Sequence, residues 1–337
     1  MKVTMVTGSY PPDVCGAGDY TARLVSALQG RGVAVDVITG KSWGMMNVPS
    51  ILRRIAAGRA NIVHYQYPTI GYGWKLGPQI LALLRRGVVT LHEASETHWM
   101  RQLSLIPFLF GKHVIFTNDF ERSYVTRFAP WVSKRSSVIP IGSNIPVALA
   151  GEKPNDREIV CFGLIRPGKG LESVLELAGI LKEQRSKLTI RIVGLPLREH
   201  QAYLEDLRLQ AAPLPIVWEL GLPAETVAER LARATLGYAP IPDGASERRG
   251  SLLALLASGV ATVTTRGSQT PAALDDAVVY ASSASEAAQV FETLGGDPER
   301  RKKLSMKAVR YASRFSWLAI ADQHIAVYEN VARKPLE

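Results

Sequence analysis

The chain has 337 residues, which is more than one hydrophobic core usually organises, and its 47% hydrophobic and 21% charged residues are ordinary for a globular protein. Its two cysteines, Cys15 and Cys161, lie far apart, which predicts no disulfide framework or zinc site and favours a reducing, cytoplasmic setting. The net charge of +10 lies mainly in residues 1–150, which hold 16 Lys and Arg against 7 Asp and Glu.

The first half of the sequence alternates short strands with amphipathic helices. Helical stretches such as YTARLVSALQGRG, which Gly30 and Gly32 end, are apolar at roughly every third or fourth position. This alternation predicts a parallel sheet with helices on both faces. We expect no signal peptide, because the chain opens directly as a strand, and no helix that spans a membrane. The predicted strands are KVTMVTG, VAVDVITG, NIVHYQY, GVVTLHE, HVIFTND and SSVIPIG.

The pattern starts again after residues 145–157, which contain Pro and Gly and have no periodicity. The sequence therefore predicts an α/β fold of two Rossmann-like, doubly wound parallel-sheet domains, at 1–150 and 151–312, followed by a C-terminal helix at 313–337. Because such sheets bind ligands at the carboxyl ends of their strands, we expect the site in a cleft between two facing sheets. The second series of strands is IVCFGLI, LTIRIVG, PIVWELG, TLGYAPI, VATVTTR and AVVYA.

A glycine-rich turn, GSYPPDVCGAGDY, follows the first strand and precedes a helix. Gly16 and Gly18 would let the backbone approach a ligand, and the start of a helix favours negative charge. A purely structural turn explains the pattern equally well. The glycine spacing does not fit the dinucleotide motif G-x-G-x-x-G.

The turn in FGLIRPGKGLESVLEL places Arg166 and Lys169 just before a helix that begins near Gly170. Cations at a helix N-terminus oppose the helix dipole unless an anion is present, so this turn predicts an anion site. Arg suits bidentate phosphate contacts, and Lys supplies a mobile charge. The alternative is a solvated basic turn, and the glycine spacing excludes the Walker phosphate loop.

The stretch PDGASERRGSLLALLASG joins charged residues to a helix that begins around Gly250 and Ser251. The unpaired N–H groups at such a helix start can bind a phosphate. The alternative is an ordinary helix that Ser251 caps, with Arg248 and Arg249 in solvent.

The order of these motifs resembles the family 4 glycosyltransferases of bacterial type, which are retaining nucleotide-sugar enzymes of the GT-B fold. The resemblance covers nearly the whole chain, in the segments TGSYPPDVCGAGDYTARL, VTLHE, VIPIGSNIP, FGLIRPGKGLESVLEL, ERRGSLLALLASGVATVTT and FSWLAIADQHIAVYENV. It implies that the first domain binds the acceptor and that the second binds the nucleotide-sugar donor. It also implies that the terminal helix crosses back to the first domain.

The resemblance further implies which residues bind the diphosphate of the donor. Lys169 matches the family's diphosphate-binding lysine, and Arg166 is the guanidinium nearest to it. The backbone N–H groups of Gly250, Ser251 and Leu252 would complete the diphosphate site.

The sugar of the donor would contact a second group of residues. Gly16 and Gly18 would approach the diphosphate and the transferred sugar, and Glu247 would bind the sugar hydroxyls. His92, which follows the strand GVVTL, matches the histidine that meets the transferred sugar. A histidine at a strand end is also commonly a structural hydrogen-bonding residue, and that alternative stays open.

Two positions depart from the family's pattern. Leu164 stands five residues before Lys169, where the family has an arginine, and Arg166 would take its role. Ala254 stands where the second of two family glutamates grips the ribose, and Glu247 matches the first of them after a shift of one position. The ribose contact is therefore lost or replaced.

Together these features predict a glycosyltransferase that moves a sugar from a nucleoside diphosphate sugar to an acceptor hydroxyl, in glycan, polysaccharide or glycolipid biosynthesis. The charges at the donor site would stabilise the leaving diphosphate without a metal ion or a cofactor. The resemblance implies that configuration is retained. Front-face attack, assisted by the leaving phosphate, would then be the route, because the sequence shows no pair of nearby carboxylates that suits double displacement. Two alternatives are a nucleotide-sugar epimerase of similar fold and a catalytically silent nucleotide-sugar-binding protein.

The basic first half predicts an acidic partner. No recognition helix, zinc finger or aromatic stacking motif indicates nucleic acid. Residues 98–113, HWMRQLSLIPFLFGKH, place apolar side chains between Arg101 and Lys112, which is typical of a membrane interface; a core helix broken at Pro107 is the alternative. We therefore expect a saccharide or lipid-linked acceptor, and a cytoplasmic enzyme for which an anionic membrane surface on the inner face is a candidate partner.

Overall fold

The computed structural model of the chain describes residues 1–13, 15–40, 42–95, 99–148 and 155–333. Its contacts divide the chain into two compact units. The first unit comprises Met1–Gly142 and Phe315–Glu337, and the second comprises Ser143–Arg314. The boundary predicted at residues 150 and 151 lies outside the described residues.

The first unit is built on a parallel sheet of six strands. The strands are β1 (Lys2–Val6), β2 (Ala34–Ile38), β3 (Ile62–Tyr67), β4 (Val88–Leu91), β5 (His113–Phe116) and β6 (Ser136–Val138). Their order across the sheet is β2-β1-β3-β4-β5-β6. The helices between them are α1 (Gly16–Gly30), α2 (Val48–Ala57), α3 (Gly77–Leu84), α4 (Trp99–Leu105) and α5 (Asp119–Phe128).

The second unit repeats this architecture with a different strand order. Its strands are β7 (Asn155–Ile165), β8 (Thr189–Pro196), β9 (Ile216–Leu220), β10 (Ala234–Ala239), β11 (Ala261–Thr264) and β12 (Val279–Tyr280). They pair in parallel in the order β12-β11-β10-β7-β8-β9. The helices are α6 (Leu171–Glu183), α7 (Gln201–Ala211), α8 (Ala224–Arg233), α9 (Gly250–Ala257), α10 (Ala284–Gly296) and α11 (Pro298–Ser313).

The last helix, α12 (Trp317–Arg333), belongs to the first unit and packs against α1. Ile320 and Tyr328 of α12 are fully buried in one core with Leu24 and Leu28 of α1 and with Met5 of β1. A second core of the same unit lies under α2, α3 and α5. The two cores cover opposite faces of the sheet.

Neighbouring residues of the central strands alternate between these two cores. Val88 packs in the core under α1 and α12, whereas the next residue, Val89, packs in the other. A strand buried on both faces has to be apolar at successive positions, which is why the strands are near-continuous apolar runs in the sequence. All twelve strands predicted from such runs are present, and the predicted α/β class with two doubly wound sheets is confirmed.

Local details differ from the predictions at two helix starts. The first helix begins at Gly16, earlier than the apolar periodicity from Tyr20 indicated. The helix α9 begins at Gly250 with Arg249 at the N-cap position and no side-chain cap, so the alternative that Ser251 caps this helix is wrong.

The apolar segment at residues 98–113 forms α4 and then a 3₁₀ helix, Ile106–Phe110, so the chain breaks near Pro107 as the core-helix alternative predicted. Phe108 and Leu109 are buried, whereas Phe110 is 42% exposed. The segment therefore contributes both to the core and to the surface. Residue 98 and the side chains of residues 99–101 lie outside the described part of the structure.

Candidate functional site

A pocket opens in the second unit at the carboxyl ends of β7 and β10. The chain leaves these two neighbouring strands in opposite directions, and doubly wound sheets bind ligands at such a switch point. The structure thus brings together the two stretches that the sequence predicts for the donor diphosphate. The residues that line the pocket include Gly163, Leu164, Lys169, Pro240, Arg249 and Ser251.

The turn that presents Lys169 depends on two glycines. Gly168 and Gly170 have φ angles of +75° and +74°, a backbone region that side chains with a Cβ atom rarely adopt. A Cβ atom on Gly170 would also overlap the carbonyl oxygen of Pro240. These two constraints fix the turn between β7 and α6 against the end of β10 and place Lys169 at the pocket.

The start of α9 closes another side of the pocket. A Cβ atom on Gly163 would lie 3.7 Å from Cβ of Ser251, so the end of β7 and the first turn of α9 are in close proximity. In the part of the chain that the structure describes, no side chain caps α9, and the backbone N–H groups of Gly250, Ser251 and Leu252 have no backbone acceptor. Such N–H groups can bind an anion.

The loop before α9 is held by the end of β11. The N–H of Ala245 donates to the carbonyl of Thr265 (2.9 Å), and the hydroxyl of Thr270 donates to the carbonyl of Ala245 (2.7 Å). Gly244, with a φ angle of +91°, packs against Gly267. These contacts fix the position of the residues that follow, including Arg249.

The pocket is electropositive. Half-burial of Lys169, with Arg166 and Arg249 nearby, lowers the pKa of its ammonium group, and Asp243 opposes this shift. Arg249 forms an ion pair with Asp243. Among the described residues, no carboxylate lies within ion-pair distance of Lys169 or Arg166. A bound anion would relieve the repulsion between these cations.

Arg166 lies near Lys169 but is not among the residues that line the pocket. Its Nη1 atom donates to the carbonyl of Pro167, its neighbour in the chain (3.2 Å). Leu164, which stands at the position of the family's arginine, lines the pocket and is 37% exposed. The predicted diphosphate contact of Arg166 stays a prediction.

Glu247 has partners that the sequence did not reveal. Its Oε1 atom accepts hydrogen bonds from Nη2 of Arg314 (3.0 Å) and from the hydroxyl of Tyr311 (3.3 Å). The guanidinium of Arg314 stacks on the ring of Tyr311 at 4.3 Å. Burial and the charge of Glu247 raise the pKa of Tyr311 to about 12, so the phenol stays a donor at neutral pH. Glu247 would have to share or exchange these partners to bind a sugar hydroxyl.

Ala254, which replaces the family's second glutamate, is buried in the core with Val160, Leu255 and Val260. Its methyl group contributes packing and offers no hydrogen bond. Leu252 is buried as well, so only its backbone can serve the pocket.

The glycines of the first unit have different surroundings. Gly16 is the first residue of α1 and is exposed, and a Cβ atom there would meet nothing within 4 Å. Gly18 is buried, and a Cβ atom there would lie 3.1 Å from the carbonyl oxygen of Ser9. Close packing therefore accounts for Gly18, and it does not account for Gly16.

His92 lies at the carboxyl end of β4 and is half-buried. Its Nε2 atom lies 2.9 Å from Oε1 of Gln66, and because an amide oxygen only accepts, Nε2 carries the proton. The edge of the ring packs on Tyr20, with the centroids 4.8 Å apart. Burial and the nearby His324 lower the pKa of His92 to about 4, so the ring is neutral at pH 7. The structural hydrogen bond is present, and the sugar contact stays a prediction.

Behind His92, a buried polar network joins α12 to the sheet. His64 of β3 lies 2.6 Å from the hydroxyl of Tyr328 and 2.8 Å from the hydroxyl of Thr90. His324 donates from Nδ1 to the carbonyl of Ile320 (2.8 Å), because a carbonyl can only accept. The hydrogen bonds within this network fix the position of α12 against the first sheet.

Glu121 is a buried residue that sequence reasoning missed. Its Oε2 atom accepts from the N–H groups of Ala94 (2.8 Å) and Ser95 (3.0 Å), and its Oε1 atom accepts from the hydroxyl of Ser95 (2.7 Å). It therefore anchors the loop that follows His92. The pattern NDFE marks a helix start, since Asn118 caps the N–H of Glu121, but it does not reveal the contact with the loop.

Within the described ranges, no group of three or more His, Cys, Asp or Glu side chains is arranged to hold a metal ion. In the same part of the chain, no helix is both long enough and apolar enough to cross a bilayer.

Neither a scan of protein-family models nor a search of curated proteins gives a match. Solved structures do match over nearly the full length. HepE from Anabaena, solved with UDP and glucose, is 15% identical, with a TM-score of 0.69 over 98% of this chain and 100% of its own. The chain has the GT-B fold.

Two further GT-B structures show the same likeness. A glycosyltransferase from Rickettsia africae is 12% identical, with a TM-score of 0.73 over 99% of both chains. WaaG, a glycosyltransferase involved in lipopolysaccharide biosynthesis, is 15% identical, with a TM-score of 0.61 over 98% of this chain and 100% of its own. The predicted GT-B architecture is therefore confirmed, while identities this low establish the fold alone.

Proposed function

We propose that this protein is a retaining glycosyltransferase of the family 4 type, which moves a hexose from a nucleoside diphosphate sugar to an acceptor hydroxyl. The observation that carries the proposal is the switch-point pocket, where Lys169 and the unpaired N–H groups at the start of α9 meet. Both groups suit a diphosphate. HepE, of the same fold, has been solved with UDP and with UDP-glucose, which supports a nucleotide-sugar donor here.

The proposed chemistry depends on the leaving diphosphate, which gains negative charge as the glycosidic bond breaks. Lys169 and the N–H groups of Gly250, Ser251 and Leu252 would stabilise that charge through fixed positive groups. We propose that these groups suffice without a metal ion and that the acceptor attacks on the face that the diphosphate leaves. Transfer activity that persists in the presence of a chelator would support this. Activity that is lost with the chelator and recovered on addition of magnesium would contradict it.

The first test measures binding and products together. We expect one of UDP, ADP and GDP to raise the melting temperature, and Lys169→Ala to abolish the shift and to slow transfer about a hundredfold or more. Release of the nucleoside diphosphate with a new glycosidic product identifies a transferase, whereas an epimerase keeps the sugar on the nucleotide. Binding without any product across an acceptor panel would favour a silent binding protein.

A surface of the first unit supports an anionic membrane as partner. Three cations precede three adjacent strands, Arg86 before β4, Lys112 before β5 and Arg135 before β6, so they lie together at the amino ends of the sheet. Phe110 and Trp131 stack beside them, 6.0 Å apart and 42% and 47% exposed. We call these five residues the basic edge.

The composition around the basic edge strengthens this interpretation. Residues 75–92, 99–118 and 129–148, which include it, contain no Asp or Glu. Exposed aromatic rings next to unopposed cations are typical of proteins that lie at the interface of anionic membranes. We therefore propose a peripheral enzyme with a lipid-linked or otherwise anionic saccharide acceptor, in polysaccharide or glycolipid biosynthesis.

Co-sedimentation with liposomes tests the basic edge. We expect binding to vesicles that contain phosphatidylglycerol at low salt, weaker binding at high salt, and none to phosphatidylcholine alone. The double variant Lys112→Glu, Trp131→Ser should lose this binding, whereas Lys302→Glu on the exposed face of α11 should keep it. If the wild-type protein does not sediment with the anionic vesicles, an anionic membrane is excluded as a partner.

A further inference from the structure

We propose that Arg249 is the second phosphate-binding cation of the switch-point pocket, and that it supplies from the start of α9 the charge that the end of β7 lacks. This inference rests on the proposed donor site. Leu164, at the end of β7, lines the pocket without a charge, and Arg249 lines the same pocket. The two side chains thus border one space, and only the second can bind a phosphate.

Arg166 is the competing candidate, and its surroundings differ. It is close enough to Lys169 to act on its charge, as Arg249 is, but it does not line the pocket. Its guanidinium donates to the carbonyl of its own neighbour, Pro167. Both arginines therefore contribute to the positive potential, whereas Arg249 alone of the two is placed for contact.

The present partner of Arg249 is suited to exchange. Arg249 pairs with Asp243, whose side chain is 67% exposed, so solvent weakens the pair. The Nε atom of Arg249 is buried and has no hydrogen-bond partner among the described residues. A phosphate oxygen at the pocket would give this N–H an acceptor and would take over the role of Asp243 as counter-charge to Arg249 and Lys169.

The fixed position of Arg249 adds to the argument. It occupies the N-cap position of α9, directly before the unpaired N–H groups of that helix. The loop before it is tied to the end of β11 through Ala245. An anion at the start of α9 would therefore meet the guanidinium and the N–H groups together, which is the arrangement that favours phosphate over a neutral ligand.

The experiment compares affinities for UDP, ADP and GDP, and for their nucleosides, by calorimetry on the full chain. We expect Arg249→Ala to weaken the preferred diphosphate about 10- to 100-fold and to leave nucleoside affinity unchanged. Arg166→Ala removes the competing candidate, so under this inference it should weaken diphosphate binding less than Arg249→Ala does. Leu164→Arg, added to Arg249→Ala, should restore part of the lost affinity.

Asp243→Asn separates phosphate binding from a structural role. It removes the ion pair but keeps the guanidinium, so we expect diphosphate affinity to stay the same or to rise. Equal losses of diphosphate affinity in Arg249→Ala and Asp243→Asn, or a larger loss in Arg166→Ala, would overturn the inference. Neither result would contradict the proposed donor site. If the wild type binds none of the three diphosphates, the proposed function itself fails, and this inference fails with it.

Discussion

Single residues of the same type have different constraints in this structure, and the two glycines at the start of α1 are an example. Gly18 is buried against the carbonyl of Ser9, so packing alone requires the absence of a side chain. Gly16 has free space where a Cβ atom would be, so packing places no such requirement on it. Substitution of each by alanine can therefore separate a structural role from a ligand contact.

We expect Gly16→Ala to leave the melting temperature unchanged or slightly higher, because alanine favours a helix over glycine. If the backbone here approaches the donor, the added methyl group should lower the transfer rate at least about tenfold. Gly18→Ala should instead destabilise the fold by about 1–3 kcal/mol through overpacking. Thermal unfolding and transfer rates, measured on both variants, check this; full activity of Gly16→Ala would remove Gly16 from the donor site.

At the scale of elements, the docking of α12 on the first sheet depends on neutral buried histidines. Burial lowers the pKa of His324 to about 4 and that of His64 well below its usual value, with neighbouring histidines adding to the shift of His64. An unfolded histidine has a pKa near 6.5. Below that pH the unfolded chain binds protons that the folded chain does not. The free energy of unfolding therefore decreases as the pH is lowered.

We expect the free energy of unfolding of the first unit to be constant above about pH 7 and to fall by several kcal/mol as the pH drops from about 6.5 towards 4. His324→Gln should be less stable than the wild type at pH 7. Its free energy of unfolding should decrease less on acidification, because one of the histidines with a lowered pKa is gone. His200→Asn, a change in the second unit, should leave the unfolding of the first unit as in the wild type. Urea unfolding, followed by tryptophan fluorescence, gives these values because five of the six tryptophans lie in the first unit.

The elements themselves could largely be predicted from the sequence, because their causes are local. Strands such as β3 and β5 are apolar on both faces and bounded by turns, and the alternation with helices determines a doubly wound sheet. The pairs Arg249–Asp243 and Glu247–Arg314 could not be predicted in the same way. The partners of Glu247 lie 64 and 67 positions away, and no periodicity relates such residues.

The start of α9 at Gly250 also differs from what the local sequence pattern predicts. The local pattern suited a cap by Ser251, but the helix begins before that residue, so the N–H groups of Gly250, Ser251 and Leu252 form its first turn, which is unpaired among the described residues. The switch-point rule, by contrast, predicted from topology alone the strand ends at which the pocket lies.

At the scale of the whole molecule, the chain passes from the first unit to the second after Gly142 and returns after Arg314. The first unit is therefore incomplete without the last 23 residues that follow the second. The core under α1 contains Ile320 and Tyr328 from that returning segment, while the core of the second unit is formed from its own residues around Leu177 and Phe291. A cavity made in one core should not weaken the other.

Ile320→Ala and Leu177→Ala test this independence, since both side chains are fully buried and each loses a comparable volume. We expect each to cost about 2–5 kcal/mol in its own unit. Hydrogen exchange, measured by mass spectrometry, should show lost protection in α1, β1 and α12 for Ile320→Ala, and in α6, β7 and α10 for Leu177→Ala. Because the core of the second unit is formed from its own residues, exchange in the second unit should stay unchanged in Ile320→Ala. Equal loss of protection throughout the chain in both variants would show that the two units unfold as one.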